Sequence, residues 1–535
     1  MRVAGIIAEY NPFHNGHAHQ IRQVRALGFD AVVCVMSPGV VQRGSLALMP
    51  VQVRAQAALA CGADLVLCLP APYAAASAEA FAAAGVRALG ALGCVQALCY
   101  GAETPDAAAH LRAAKALVGP AFAGRLREGL AAGLPFAAAR QQAAQAVCEG
   151  AGDLLASPND ILGVEYCKAV LTQKSALQPL ALARRGAAHG APLGAGAAQQ
   201  TFSSLRAARQ AAGFASATAL RALAQRSGME ALEPYVPQAA LTLYLCAQQQ
   251  GAVLEEARFS TALLCRLRAG CAQGFAHVRG AGEGLENRVG RRGVQVGTAG
   301  QLLELLKTKR YATARLRRFA LDAALGVPAG LPALPYLHVL GAGEAGLAVL
   351  QQAKQAASLP LSASLAVLEK ASPPAAQVAA LHAAAEDFAA LCLASPRPMG
   401  TAYTQKFIAP PRVKTVETHR RAKRLILVNG PMGVGKTAVC RQLVRLCAPA
   451  AFLDGDWCWM LEPFTVTPET KELVLSNIAH MLESYGRCTA CRTVVFCWVM
   501  QTPDIVQQVL GRLPAGLFSP RLITLMASPE ALAAR

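Results

Sequence analysis

Apolar residues near the start of the chain fall into short, largely unbroken runs: Val3–Ala8, Ala31–Met36, Ala63–Leu69 and Val95–Gly101. Runs of this length, bounded by turn residues, predict strands buried on both faces. Between them, His17–Leu27, Val51–Cys61 and Ser77–Leu92 have helical composition. Strands alternating with helices at this spacing predict βαβ units, a parallel sheet and an α/β fold class. Ligands of such sheets bind beyond the carboxyl ends of the strands. The loops Asn11–His17, Ser37–Gly44, Pro70–Ser77 and Gly101–Glu103 fall at those ends and are expected to face one crevice.

Further on, alanine-rich sequence from Ala107 to Val147 predicts a helical hairpin, and Ser157-Pro158-Asn159-Asp160 a turn. Ser157 or Asn159 is available to cap a helix from Ile161 onward. Gln178–Ala183 reads as another strand, residues 200 to 395 as mainly helical, and Tyr336–Leu340 as a small β element. Residues 409–423 are proline-led and charged without apolar period, which predicts a linker. A strand at Arg424–Asn429 then opens a second α/β region.

Two phosphate-binding patterns stand at strand-to-helix turns. In the first, His14 and His17 flank Gly16 just after the Val3–Ala8 run. Glycine lets a phosphate approach the backbone, a helix N-terminus favours anions, and the two imidazoles can donate to phosphate oxygens as charge grows. In the second, Gly430 to Thr437 matches G-x-x-x-x-G-K-[ST] in full, with Gly433, Gly435 and Lys436 inside it. Its amides cradle phosphate, Lys436 reaches the β and γ oxygens, and Thr437 holds Mg²⁺. Asp454 and Asp456 follow the next strand, placed to orient Mg²⁺ or accept a proton. The chain therefore handles nucleotides, with ATP and Mg²⁺ expected.

Composition narrows the partners. The chain has 535 residues, enough for several domains, and is 54% hydrophobic with a net charge of +19. A balance that basic points to a polyanion such as nucleic acid. Lys307, Lys309 and Arg310, with Arg315 and Arg318 after them, form the densest basic run, with Tyr311 among them. The seventeen cysteines are scattered, as expected for free thiols of a cytoplasmic protein. Cys488 and Cys491 form a C-x-x-C without a second pair, which is too few ligands for a zinc ribbon. The charge-free stretch Ala323–Gly343 carries three prolines, so no membrane helix is expected there.

The opening Gly5–His17 resembles the tRNA(Met) cytidine acetate ligase family of HIGH nucleotidyltransferases. The resemblance continues at Val41–Gly44, Ala63–Val66, Ser157–Gly163, Glu283–Asn287, Lys307–Tyr311, Arg315–Arg318 and Val339–Gly341, covering residues 1 to 408. It implies a Rossmann-like nucleotidyltransferase domain at 1–195 and a mainly helical tRNA-binding region at 196–408. It also implies that ATP and acetate give acetyl-adenylate, and that the acetyl group passes to the wobble cytidine of elongator tRNA(Met). His14 and His17 would be catalytic. The nucleotide would be lined by Ile7, Ala8, Glu9, Tyr10, Asn11, Pro12, Phe13, His14, Asn15, Gly16, His17, Ala18, His19 and Gln20, with Gly101, Asn159 and Arg184. Arg43 is a further phosphate candidate, and Lys307, Lys309, Arg310, Arg315 and Arg318 would hold the tRNA backbone. The chain departs from the family pattern at Ser45 and Gly190, and Thr201–Arg209 is short.

Residues 424–535 resemble a small P-loop nucleotide kinase whose arginine-bearing lid is expected to be lacking. The residues alone leave two other readings open: a nucleotidyltransferase acting on a small phosphorylated acceptor, and a nucleotide-sensing RNA-binding protein. Acetate-dependent pyrophosphate exchange separates the first reading from both.

Overall fold

In the computed structural model, described for residues 1–184, 214–308, 311–409, 423–488, 491–500, 502–514 and 517–528, the chain forms two compact units, Met1–Pro411 and Arg412–Arg535. The expected regions 1–195 and 196–408 both fall within the first. The linker at 409–423 lies almost wholly outside the described residues.

The first unit is built on strands β1 (Val3–Ala8), β2 (Ala31–Met36), β5 (Leu65–Cys68), β6 (Ala97–Ala102) and β7 (Gln178–Ala183), with β3 (Val40–Val41) and β4 (Ser45–Leu46) as a small hairpin. Strands β8 (Leu337–Ala342) and β9 (Leu361–Ser362) complete a seven-stranded sheet in the order β7-β6-β1-β2-β5-β8-β9. All pairings are parallel except β5 with β8. The segment expected as a small β element at Tyr336–Leu340 is thus β8, a member of the main sheet.

Alternate strand residues enter opposite cores: Val3, Val33, Val35 and Leu67 pack on one face, Ala4, Val32, Cys34 and Val66 on the other. Both faces are covered, which is why these strands read as continuous apolar runs. The covering helices include α1 (Asn15–Ala26), α2 (Val51–Ala60), α3 (Ala71–Ala74) and α4 (Ala78–Ala91). Strand order reverses direction at β1, which is flanked by β2 and β6. That is the place where an open α/β sheet forms a crevice.

The expected hairpin is three helices, α5 (Ala107–Val118), α6 (Pro120–Ala131) and α7 (Phe136–Val147), because Pro120 and Pro135 each open a new one. The short α8 (Ala151–Leu154) leads to α9 (Pro158–Thr172). This helix begins earlier than expected, since Pro158 at its first position is already set for helical φ. Ser157 takes the N-cap position but makes no side-chain capping bond, and Asn159 lies inside the first turn.

The second unit is a four-stranded parallel sheet in the order β11-β12-β10-β13. Its strands are β10 (Lys423–Asn429), β11 (Ala450–Asp454), β12 (Thr493–Cys497) and β13 (Phe518–Thr524), and the helix Lys436–Leu446 follows β10. Among the described residues, no helix is long and apolar enough to cross a membrane.

Candidate functional site

A cavity of about 490 Å³ opens at the carboxyl ends of β1, β6 and β7, lined by the start of α1. His14 is the N-cap of α1, in extended conformation. Its Nδ1 accepts from the Gly16 amide at 3.0 Å, and its own amide donates to His17 Nδ1 at 3.2 Å. A reciprocal capping box normally made by a hydroxyl and a carboxyl is here made by two imidazoles. Because each Nδ1 accepts, the proton of each neutral ring sits on Nε2. The rings stack with centroids 3.8 Å apart. Burial, with Arg184 nearby, pushes His14 down to about 3. His17 is also pushed well down, by burial and then by His14 and Arg184. Both histidines are therefore neutral donors at physiological pH. A Cβ at Gly16 would meet His14 Cε1 at 2.8 Å, so a larger residue here would push the His14 ring out of its stack.

The loop ahead of the histidines is held from below. Arg54 of α2 is fully buried and donates to the carbonyls of Met49 at 3.0 Å, Glu9 at 2.6 Å, Ser37 at 3.0 Å and Pro38. Asn11 Oδ1 accepts from the Leu48 amide at 2.8 Å, and the Tyr244 hydroxyl donates to the Phe13 carbonyl at 3.0 Å. Of the expected stretch Ile7–Gln20, every residue lines the cavity except Pro12, Phe13, Asn15 and Ala18. Phe13 is wholly buried in the core, and Asn15 Nδ2 turns to the Pro234 carbonyl at 3.2 Å. Tyr10 touches the cavity, but its hydroxyl is buried against Cys34 Sγ at 3.3 Å.

Gly101, Asn159 and Arg184 reach the same cavity. Asn159 Nδ2 donates to Glu103 Oε1 at 2.6 Å, and the Arg184 guanidinium lies 4.0 Å from that carboxylate. A Cβ on Gly101 would press on Arg184 Cγ at 3.2 Å. Buried Asp160 accepts from the Thr104 amide at 3.0 Å and so pins the loop after β6 to the start of α9. Three of the four expected loops face the cavity. Pro70–Ser77 does not: it folds into α3, and its Pro72 and Ala75 carbonyls accept from Arg279.

The basic run divides. Arg318, expected to hold tRNA, lines the cavity beside Arg43 and donates to the Gln42 carbonyl at 3.4 Å. Gly44 makes this possible: its φ is +72°, and a Cβ there would lie 2.4 Å from the Arg318 amide nitrogen. Lys307 pairs with Glu304 at 2.6 Å, and Arg315 with Glu283 at 3.4 Å. Tyr311 is buried under Arg315, with its hydroxyl on the Glu283 carbonyl at 3.0 Å, so it offers no face for a base. Lys309 and Arg310, like Gly190 and Thr201–Arg209, lie outside the described residues. Sequence reasoning missed Arg221, which lines the cavity from the helix Ala217–Ser227 and donates to the Asn11 carbonyl at 2.8 Å. No local motif marks it; only the tertiary fold brings it there.

In the second unit Gly430, Gly433 and Gly435 all hold positive φ, and Lys436 Nζ donates to the Gly430 and Pro431 carbonyls, both at 3.0 Å. Thr437 Oγ1 donates to Asp454 Oδ2 at 3.0 Å. Asp454 also accepts from the Asp456 amide at 3.2 Å. Burial and then the Asp454 carboxylate push Asp456 up from its ordinary value. The Thr437 hydroxyl and the Asp454 carboxylate meet here, oxygen donors of the kind that suit Mg²⁺.

Comparison with known proteins agrees with this geometry. The HIGH Nucleotidyl Transferase family model matches residues 1–401. A tRNA(Met) cytidine acetate ligase of Caldanaerobacter subterraneus is 32% identical over 68% of this chain and 89% of its own length. Another, from Acetivibrio thermocellus, is 31% identical and is matched over its whole length by 76% of this chain. The crystal structure of Thermotoga maritima TmcAL bound with alpha-thio ATP is 28% identical, with a TM-score of 0.68 over 76% of this chain and 100% of that one. The Acetivibrio and Thermotoga proteins are matched over their whole length, which leaves the remainder of this chain without a counterpart in either. The chain belongs to the tRNA(Met) cytidine acetate ligase family of HIGH nucleotidyl transferases.

Proposed function

We propose that the first unit is an ATP-dependent ligase that activates acetate and acetylates the wobble cytidine of elongator tRNA(Met). The observation that carries this reading is the pair of neutral imidazoles at the α1 N-terminus, on a cavity also lined by Arg43, Arg184, Arg221 and Arg318. A carboxylate is already a nucleophile, so the first step needs alignment and charge neutralisation more than a base. An acetate oxygen attacks the α-phosphorus, the bond to the β-phosphate oxygen breaks, and pyrophosphate leaves. The Nε2–H groups of His14 and His17 donate to the oxygens that gain charge, and their neutrality keeps them from binding ground-state triphosphate as tightly as cations would. In the second step the cytidine N4 attacks the acetyl carbonyl, AMP leaves as the C–O bond breaks, and an N4 proton passes to solvent. Lys307, Lys309, Arg310 and Arg315 are proposed to hold the tRNA backbone, with Arg318 assigned to the phosphates of ATP instead.

The P-loop unit is proposed to bind a second nucleotide, with Lys436 on its phosphates and Thr437, Asp454 and Asp456 around Mg²⁺. The test is incubation of the full chain with ATP, labelled acetate and total bacterial tRNA, followed by nucleoside analysis. Label in N4-acetylcytidine is expected. Acetate-independent exchange of pyrophosphate, with a phosphate ester as acceptor, would overturn the assignment.

A further inference from the structure

Cys68, the last residue of β5, stands directly opposite His338 of β8 in the antiparallel register. Opposed residues on adjacent strands project from the same face with Cβ atoms roughly 5 Å apart. His382, on the helix Pro373–Leu391, completes the group with its Nε2 4.0 Å from Cys68 Sγ. One donor atom from each of the three lies within 4.8 Å of the others. All three side chains are buried, and none lines the nucleotide cavity. Neither ring nitrogen of His338 has a hydrogen-bond partner; the Ala363 backbone favours its protonated ring but meets it outside hydrogen-bond geometry. A buried imidazole with two unmet nitrogens costs stability unless something else satisfies it.

We propose that Cys68, His338 and His382 form a site for a thiophilic d¹⁰ metal ion, zinc or copper(I), which ties β5, β8 and the helix Pro373–Leu391 together. A thiolate with two imidazoles selects such ions over magnesium or calcium, which take oxygen. With Zn–S about 2.3 Å and Zn–N about 2.0 Å, tetrahedral donors stand roughly 3.5 Å apart, so the three groups close by only a little. Metal binding breaks the Cys68 S–H bond, forms the S–metal bond and sends the proton to solvent, with no redox change. His382 binds through Nε2, which moves its ring proton to Nδ1. The long 3.4 Å contact that Nδ1 accepts from the Ala71 amide is given up in exchange for the metal bond. Copper(I) with one thiolate would leave the site neutral, whereas zinc would leave it with a net positive charge.

The test is metal analysis of the untagged full chain purified from cells supplied with zinc or copper, together with cobalt substitution. Stoichiometric zinc or copper is expected, with a thiolate-to-cobalt charge-transfer band. Both should be lost in Cys68→Ser and His338→Gln and kept in the Cys488→Ser/Cys491→Ser double variant. Should Cys68→Ser fail to fold, X-ray absorption of the wild-type metal centre decides, one sulfur and two imidazoles being expected. A metal-free chain with no thiolate band, an all-sulfur shell, or metal that follows Cys488 and Cys491 would overturn the site.

Discussion

The two proposed nucleotide sites are built by different means. In the P-loop unit, glycines, lysine and hydroxyl lie within Gly430–Thr437, and the positive φ values that aim the amides belong to residues inside that motif. In the first unit, the proposed phosphate donors include two uncharged histidines whose ring tautomers are set by the Gly16 amide, for His14, and the His14 amide, for His17. Their loop is held by Arg54, Arg221 and Tyr244, from scattered parts of the chain. One site is encoded locally and presents a cation. The other is encoded by packing and sets two imidazoles that burial keeps neutral among four arginines. The P-loop geometry rests on residues of its own motif, while the packed site rests on Arg54, Arg221 and Tyr244 from distant parts of the first unit.

The comparison breaks most sharply at Arg54. Arg54→Met strands the Glu9, Ser37 and Pro38 carbonyls and the nearby buried Glu386. Losing one member of such a buried charged network should destabilise the first unit by about 3–5 kcal/mol. Denaturant unfolding of the full chain should show that loss in the first unit's transition alone. Next comes His17→Ala, expected to slow acetyl-adenylate formation by about 10²–10³-fold, the usual cost of one transition-state donor, without changing nucleotide affinity at the P-loop. Gly44→Ala forces a side chain against the Arg318 backbone at positive φ, and should cost about 1–3 kcal/mol and raise KM for ATP.

Smaller effects sharpen the contrast. Neutralising Lys307 and Arg315 together should weaken tRNA binding and lower its salt slope by about 2, measured by filter binding across salt. Finally, kcat/KM for ATP should show no inflection near pH 6.5, because His14 in the free enzyme sits at about 3. The same depressed value makes stability pH-dependent. His14 protonates readily only when unfolded, so its contribution is complete above pH 6.5 and falls as pH drops toward 3, by about 1.4 kcal/mol per unit.

How much of this was legible in the sequence follows the same division. β1 and β2 were readable to the residue because both sheet faces are covered and every position is apolar. The P-loop could be read whole, and His14, Gly16 and His17 announced the first site. Phe13 could not be separated from its lining neighbours, since whether a loop residue faces core or cavity depends on Tyr244, some 230 positions later. Arg318 read as surface charge because its run is basic throughout, yet the packing of Gly44 turns it inward. Pro70–Ser77 looked like another ligand loop, and only the carbonyl contacts to Arg279 reveal it as a structural turn. Cys68 and His338 are unremarkable in sequence, and antiparallel pairing of β8 is what brings them together.

The most direct measurement is acetate-dependent ATP–pyrophosphate exchange in three chains: wild type, His17→Ala and Lys436→Ala. Exchange in wild type and Lys436→Ala, with loss in His17→Ala, is the expected result, because acetate is activated at the packed histidine site alone. Exchange that survives His17→Ala but disappears in Lys436→Ala would move the chemistry to the P-loop unit and contradict it.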